Sequence, residues 1–335
     1  VTRLRGILHY PDQAAFDRSH PGPGGDDVRA RELGSVVVAA LPAPGRIIGA
    51  ILLGWSRPHA VEPTDLLYIA TIAGYAGQAM GRARRLTHRT TVAHEMQNAM
   101  LTELPRTGEL AMAARYLPAD SRENVGGDWY DAAALTDPDR PHDHTMMLSI
   151  GDIIGHSLTA VTLMGQVRSM LRQAAVDHPG GPPSRIVEAF ETANEQFDLG
   201  AAGTAVVAHL RRSPSSDWSM TWTNAGHPPP ILLHPGRSPR LLDAHDLLFG
   251  FKLSRRGQRT DHHLTLQGGS TVFFYTDGLV ERRDSDLDAG TQRLIDTLAP
   301  LSDQTPQQIV DTVIAQLVTT APDDDVVAFA VRIPD

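Results

Sequence analysis

The sequence predicts an α+β protein in two unequal parts, and three observations lead there. A chain of 335 residues is longer than one ordinary domain needs. Short apolar runs bounded by Gly, Pro, Asn and Asp read as strands, some of them alternating apolar with polar. Between the strands, apolar residues three and four apart read as amphipathic helices.

Composition narrows the chemistry. Hydrophobic residues make up 41% of the chain, enough for real cores. The net charge of −9, from 30 Lys+Arg against 39 Asp+Glu, argues against nucleic acid or an anionic membrane as a nonspecific partner. There is no cysteine, which removes disulfides, thiolate zinc sites and cysteine nucleophiles together and suits a cytoplasmic location. No apolar run reaches the ~20 residues of a membrane span, because Pro42, Pro44 and Arg46 interrupt the longest candidate. The chain opens without Met or a signal-like stretch, as an excerpt of a longer protein would.

In order along the chain, Pro21 to Asp27 reads as a loop. Val36 to Leu41 and Arg46 to Trp55 form a hairpin across the Pro42 to Gly45 turn, and a helix capped by Thr64 follows. Leu66, Ile69, Ala73, Ala76, Met80 and Ala83 form a seam on that helix suited to pairing with another helix, so a homodimer through it is expected. Apolar residues resume out of register at Val92, Met96 and Ala99, which marks Thr87 to Thr90 as a candidate hinge.

From Leu110 onward strands and helices interleave. Leu110 to Leu117 and Thr145 to Ile150 are strand-like, and Thr136 to His144 reads as a polar loop. A helix from Leu158 to Ala175 turns Leu163, Val167 and Leu171 inward and Arg168 and Arg172 away. A second, opened by Ser184, buries Ile186, Phe190, Ala193 and Phe197. Strands follow at Gly203 to Leu210, Asp217 to Thr223, Ile231 to Leu233 and Thr271 to Tyr275. A last helix, capped by Thr305 with Pro306 in its first turn, precedes the strand Val326 to Ile333.

Four acidic positions fall at strand ends: Asp128 after two glycines, Asp152 between Gly151 and Gly155, Asp277 before Gly278, and Asp324 or Asp325. If they converge without a cation, each pair ~4 Å apart repels by roughly 4 kcal/mol at an effective dielectric of ~20. A divalent ion removes the conflict, and oxygen ligands without thiolates select hard cations such as Mg²⁺ or Mn²⁺. His227 sits in a Pro-rich loop that shapes a site more readily than it reacts. The His142, His144 and His262, His263 pairs lie in polar stretches without helical ligand spacing.

Gly126-Gly127-Asp128-Trp129-Tyr130-Asp131, Gly151-Asp152-Ile153-Ile154-Gly155-His156, Asn224-Ala225-Gly226-His227-Pro228-Pro229, Tyr275-Thr276-Asp277-Gly278 and Asp324-Asp325-Val326 occur in that order. In this the chain resembles the PPM-type metal-dependent protein phosphatases, nearest their bacterial SpoIIE/RsbU-like branch, over about residues 105 to 335. The resemblance implies an α/β/β/α sandwich, two antiparallel sheets flanked by helices. It implies two Mn²⁺ or Mg²⁺ ions, with Asp152 bridging them, the Ile153 carbonyl as a backbone ligand, and Asp128, Asp277 and Asp324 or Asp325 completing the shell. It further implies that a metal-activated water hydrolyses phosphoserine or phosphothreonine on a protein, in this branch a phosphorylated anti-anti-sigma (STAS-domain) factor. Ser157 stands where the family usually has Gly, and Ile154 is bulkier than usual. About residues 30 to 85 resemble the C-terminal half of a GAF sensor domain, which implies a partial GAF-like domain at 1–85, with 86–104 a helical linker to the phosphatase-like domain at 105–335. A degenerate phosphatase fold serving as a binding module, and a metal hydrolase of small phosphoesters, are the other two readings.

Overall fold

Valine, isoleucine and leucine crowd residues 35–55, and branched side chains favour an extended, half-buried ribbon. In the computed structural model that stretch forms the hairpin of β2 (Ser35–Ala43) and β3 (Arg46–Trp55), turned at Gly45 with φ +75°. The structure describes residues 6–22, 26–100, 103–105, 109–119, 126–137, 140–155, 157–212, 217–251, 259–281 and 286–334, with backbone alone at 27–28, 86–100, 137 and 140–144. Contacts divide the chain into two units, residues 1–89 and 90–335.

In the first unit β1 (Ile7–Tyr10) pairs antiparallel with β2, giving a three-stranded sheet in the order β1-β2-β3. Two short helices, α1 (Gln13–Ser19) and α2 (Asp26–Arg29), lie between β1 and β2 in sequence. The long α3 (Pro63–Met100) begins one residue before the expected cap. Pro63 needs no N–H partner in the first turn, and Glu62 N donates to the Asp65 carboxylate at 3.3 Å, so Thr64 lies inside the helix. Ile69, Ala73 and Ala76 pack against Ala39, Leu41, Ile48 and Ile51. The middle of the seam expected to pair with another helix is therefore used within the chain, while Met80 is 54% exposed. The backbone of α3 is helical straight through 87–90, while the side chains of Val92, Met96 and Ala99 lie outside the described residues.

The second unit holds two five-stranded sheets with every pairing antiparallel. One runs β10 (Arg240–Leu241), β9 (Ile231–Leu233), β12 (Thr271–Tyr275), β13 (Val326–Arg332), β4 (Ala111–Leu117). The other runs β11 (His262–Leu266), β8 (Trp218–Ala225), β7 (Gly203–Arg212), β6 (Arg140–Ile153), β5 (Trp129–Asp137). Ile150, Val206, Ala208, Trp222, Phe274 and Phe329 fill the space between the sheets. Helices α4 (Leu158–Asp177) and α5 (Pro183–Gln196) cover the second sheet through Val161, Met164 and Phe190 against Trp129 and Val207. Helices α6 (Leu287–Leu298) and α7 (Pro306–Leu317) cover the first through Leu294, Ile309 and Val313 against Phe273 and Ala328. This is the helix/sheet/sheet/helix sandwich that the resemblance implied. Thr305 caps α7 as expected, and Gln308 reaches back to the Thr305 N–H at 3.1 Å to close a capping box.

The structure departs from the sequence reading at several points. Much of the polar stretch 136–144 is strand and not loop: β5 runs to Asp137 and β6 starts at Arg140, pairing Thr136 with His144 and Asp137 with Arg140. His262 and His263 sit in β11, opposite Trp222 and Thr221. Arg172 does not turn away from the core, because it grips the buried Asp131 with two hydrogen bonds of 2.5 and 2.6 Å. Phe197, expected inside, is 67% exposed just past the end of α5.

Candidate metal centre

Strand pairing brings the acidic positions to one end of the sandwich. Asp152 lies in β6 opposite Thr204, within the ladder and not in a turn, and Trp129, next to Asp128, pairs with Gly151. Asp277 opens a 3-10 turn directly after β12, and Asp324 and Asp325 precede β13, whose Ala328 pairs with Tyr275.

The glycines here make room. A Cβ on Gly151 would stand 2.2 Å from the Trp129 ring and 2.4 Å from the Thr204 carbonyl, and one on Gly127 2.5 Å from the Ile153 carbonyl oxygen. Gly151 is thus required by close packing and not as slack beside Asp152; the turn after the strand falls to Gly155, at φ +112°. His156 lies outside the described residues. Ser157 takes the cap position of α4 without a side-chain capping bond.

Asp128 is 2% exposed, and its Oδ2 has no hydrogen-bond partner among the described residues. Burial first, then the charges of Asp152 and Asp277, hold its carboxyl well above the usual range, partly offset by a hydrogen bond from the Thr276 hydroxyl. Asp152 is pushed up to about 7, by burial first and also by the charges of Asp277 and Asp324, against a hydrogen bond with Asp128 that lowers it. Asp277 is raised by burial and by the charges of Asp324 and Glu281. Among the described residues no three His, Asp or Glu side chains close into a metal cage, and mutual repulsion opposes any tighter gathering of these carboxylates. A hard oxygen donor set with an orphaned buried carboxylate oxygen fits a divalent cation such as Mg²⁺ or Mn²⁺.

Asp324 and Asp325 part company. Asp325 is fully buried, accepting from Ala119 N at 2.8 Å and from the Tyr116 hydroxyl. A Cβ on Gly126 or Gly278 would stand 2.1 Å from its carboxylate or its carbonyl oxygen respectively. Asp325 thereby anchors three segments around itself, while the exposed Asp324 is the one whose charge reaches Asp152 and Asp277.

His227 is fully occupied. Its Nε2 faces the Tyr275 carbonyl at 3.1 Å and must carry the proton, leaving Nδ1 to accept from the Thr204 hydroxyl at 2.8 Å. Burial drives its pKa down to about 3, so the ring stays neutral. It ties β7, beside Asp152, to the end of β12, beside Asp277.

The roles of three residues were not read from the sequence, although Thr276 stands inside the motif Tyr275 to Gly278. Thr276 accepts from Val327 N at 2.9 Å and donates to Asp128. Thr204 is visible only through strand register. Glu281, four residues beyond Asp277, donates its N–H to the Asp277 carbonyl at 2.7 Å and brings a charge that Asp277 feels. A hydroxyl beside an acidic motif and an acid one turn further on were the available signals.

Two antiparallel sheets between helical layers, with carboxylates gathered at one end, are the arrangement of PPM (PP2C-type) serine/threonine phosphatases. Residues 142–334 match the family described as Stage II sporulation protein E (SpoIIE), and the chain belongs to it. The solved RsbU and RsbW domains of Rv1364c from Mycobacterium tuberculosis are 29% identical over 68% of this chain and 61% of that one, with a TM-score of 0.57. This chain therefore spans about three fifths of that protein's solved length. The SiaA-PP2C domain of Pseudomonas aeruginosa matches 76% of this chain and 98% of its own at 17% identity and TM-score 0.57. The PP2C phosphatase domain of SpoIIE from Bacillus subtilis, with a fragment of its regulatory domain, matches 67% of this chain and 64% of its own at 15% identity and TM-score 0.55. The last two likenesses speak to the fold.

Proposed function

We propose that this chain is a Mg²⁺- or Mn²⁺-dependent phosphatase that hydrolyses phosphoserine or phosphothreonine on a regulatory protein. The observation that carries it is the mutual electrostatic strain of the buried Asp128 and the half-buried Asp152 and Asp277, which a divalent cation would relieve. Asp128, Asp152, Asp277 and Asp324 would hold two ions, with the Ile153 carbonyl as a backbone ligand and Asp325 as the buried anchor beside them. Bound ions of this kind lower the pKa of water and brace a phosphoryl oxygen. Thr276 orients Asp128, and His227 keeps the ends of the two sheets in register.

The further readings rest on family resemblance for the substrate and the sensor, on the absence of cysteine for the location, and on the helix seam for the dimer. The substrate would be a phosphorylated anti-anti-sigma (STAS-domain) protein, residues 1–85 a partial GAF-like sensor, 86–104 a linker, the location cytoplasmic, and α3 the route to a homodimer. The apolar side chains that α3 leaves exposed, among them Tyr68, Ile72 and Tyr75, offer that dimer a different face from the seam around Ala73.

The test is turnover of a phosphoserine protein and of a chromogenic phosphate ester, with and without Mn²⁺, by wild type and Asp152→Asn. Activity only with metal, falling by at least ~100-fold in the variant, is expected. Activity that ignores metal or survives the substitution would overturn the reading. Turnover of the ester alone would indicate a small-phosphoester hydrolase, and turnover of neither a binding module.

A further inference from the structure

At the end of the sandwich remote from the carboxylates lies a cavity of about 220 Å³. Asp277 follows one end of β12, whereas Ser270 precedes the other end and lines this cavity. Its walls come from the edges of both sheets. The β9–β10 hairpin supplies His234, Arg237, Ser238 and Arg240, and β11 with the turn after it supplies Thr265 and Gln267. Gly236, at φ +73°, turns the hairpin, and Arg237 N donates to the His234 carbonyl at 3.0 Å. No Asp or Glu lines the cavity, although the chain carries a net charge of −9. Neither guanidinium makes an ion pair or a hydrogen bond among the described residues. Half-buried His234 turns its Nε2 to the Gln267 side chain, and its Nδ1 is shielded from water without a partner among the described residues.

We propose that this cavity binds a phosphate group, free or as the monoester of a small molecule, between Arg237 and Arg240. Such a site would stand whether or not the acidic centre is a phosphatase. Guanidinium forks match phosphate oxygens bidentately, and a tetrahedral dianion offers acceptors in more directions than a carboxylate does. The hydroxyls of Ser238 and Thr265 can donate to the oxygens that remain. His234 completes the set: Gln267 can present its NH₂ to Nε2, which leaves the ring proton on Nδ1 in need of an acceptor. A volume below the ~300 to 1,000 Å³ of ordinary ligand pockets suits a small anion and leaves no room for a nucleotide. Bound there, the anion would join side chains of one sheet to those of the other.

The experiment is amide hydrogen exchange read by mass spectrometry on the full chain with Mg²⁺ at fixed ionic strength. Inorganic phosphate, phenylphosphonate as a monoester mimic that cannot be hydrolysed, or acetate is added at millimolar concentration. The expected result is exchange slowed about threefold or more in the peptides covering 231–241 and 262–270, with phosphate or the phosphonate and not with acetate. Whichever of the two protects at the lower concentration identifies the free anion or the ester as the ligand. Changing Arg237→Ala and Arg240→Ala together should abolish that protection and leave the exchange pattern without phosphate unaltered, which shows the fold intact. Thr265→Glu, an exposed change that sets a carboxylate in the cavity wall, should abolish it independently. No protection of these peptides, equal protection by acetate, or protection that survives both variants would overturn the proposal.

Discussion

Asp152 carries an internal conflict that sets how the metal-free protein should respond to pH. Its pKa is raised to about 7, first by burial, against ~3.9 for an unfolded aspartate. The folded chain therefore holds this proton more tightly than the unfolded one. The stability so gained is complete below the unfolded value and is lost as pH rises through about 7. Asn in its place cannot ionise, so metal-free Asp152→Asn should lose less stability than wild type between about pH 5 and 8, by on the order of 2 kcal/mol in denaturant titrations. Parallel curves for the two proteins would contradict the assignment. His227 pulls the other way: with its pKa lowered to about 3, its contribution is present above the usual histidine value and fades as pH falls toward 3. His227→Ala, which leaves the Tyr275 carbonyl and the Thr204 hydroxyl unpaired, should cost about 2 to 4 kcal/mol. It should also weaken Mn²⁺ binding measured by calorimetry, whereas a residue that only filled space would leave that affinity unchanged.

Among the elements, α4 is held to the sheet at the strand that follows Asp128. Arg172 pairs bidentately with Asp131, whose side chain is 3% exposed, and Arg168 stands 3.9 Å from the same carboxylate. Removing Arg172 strands much of a buried charge. Arg172→Ala should destabilise by about 2 to 3 kcal/mol, and Asp131→Asn in the same chain should recover most of it in a double-mutant cycle. Strict additivity would show that the pair does not interact. This contact also shows where sequence reasoning stops. Ile231–Leu233 and Thr271–Tyr275 were legible to the residue, because short apolar runs between turn formers admit little else. The tip of the β5–β6 hairpin was not, because its polar residues read as loop and only cross-strand pairing makes them strand. Arg168 and Arg172 read as a solvated face because their partner lies 37 and 41 residues away in sequence. The acidic residues were legible by order and motif, but the division of labour between Asp324 and Asp325 needed Tyr116 and Ala119, which no local pattern ties to them.

At the scale of the whole molecule, the backbone of α3 is helical from Pro63 to Met100, from the first unit into the second. If the first unit informs the second through this helix, Thr90→Pro should change phosphatase turnover several-fold while leaving Mn²⁺ affinity at saturation unaltered, since proline in a helix interior costs ~3 kcal/mol locally. Unchanged turnover would remove the relay. The carboxylates, meanwhile, come from both sheets: Asp128 precedes β5 and Asp152 lies in β6, while Asp277 follows β12 and Asp324 precedes β13. Their spacing is therefore fixed by how one sheet rests on the other, through Val206, Ala208, Phe274 and Phe329. A volume change at any of those apolar positions shifts the two halves of the centre against each other. Heat-sensitive loss of function should consequently map to that oily layer as readily as to the acids themselves, and such variants should be rescued by raising the concentration of divalent cation in the medium.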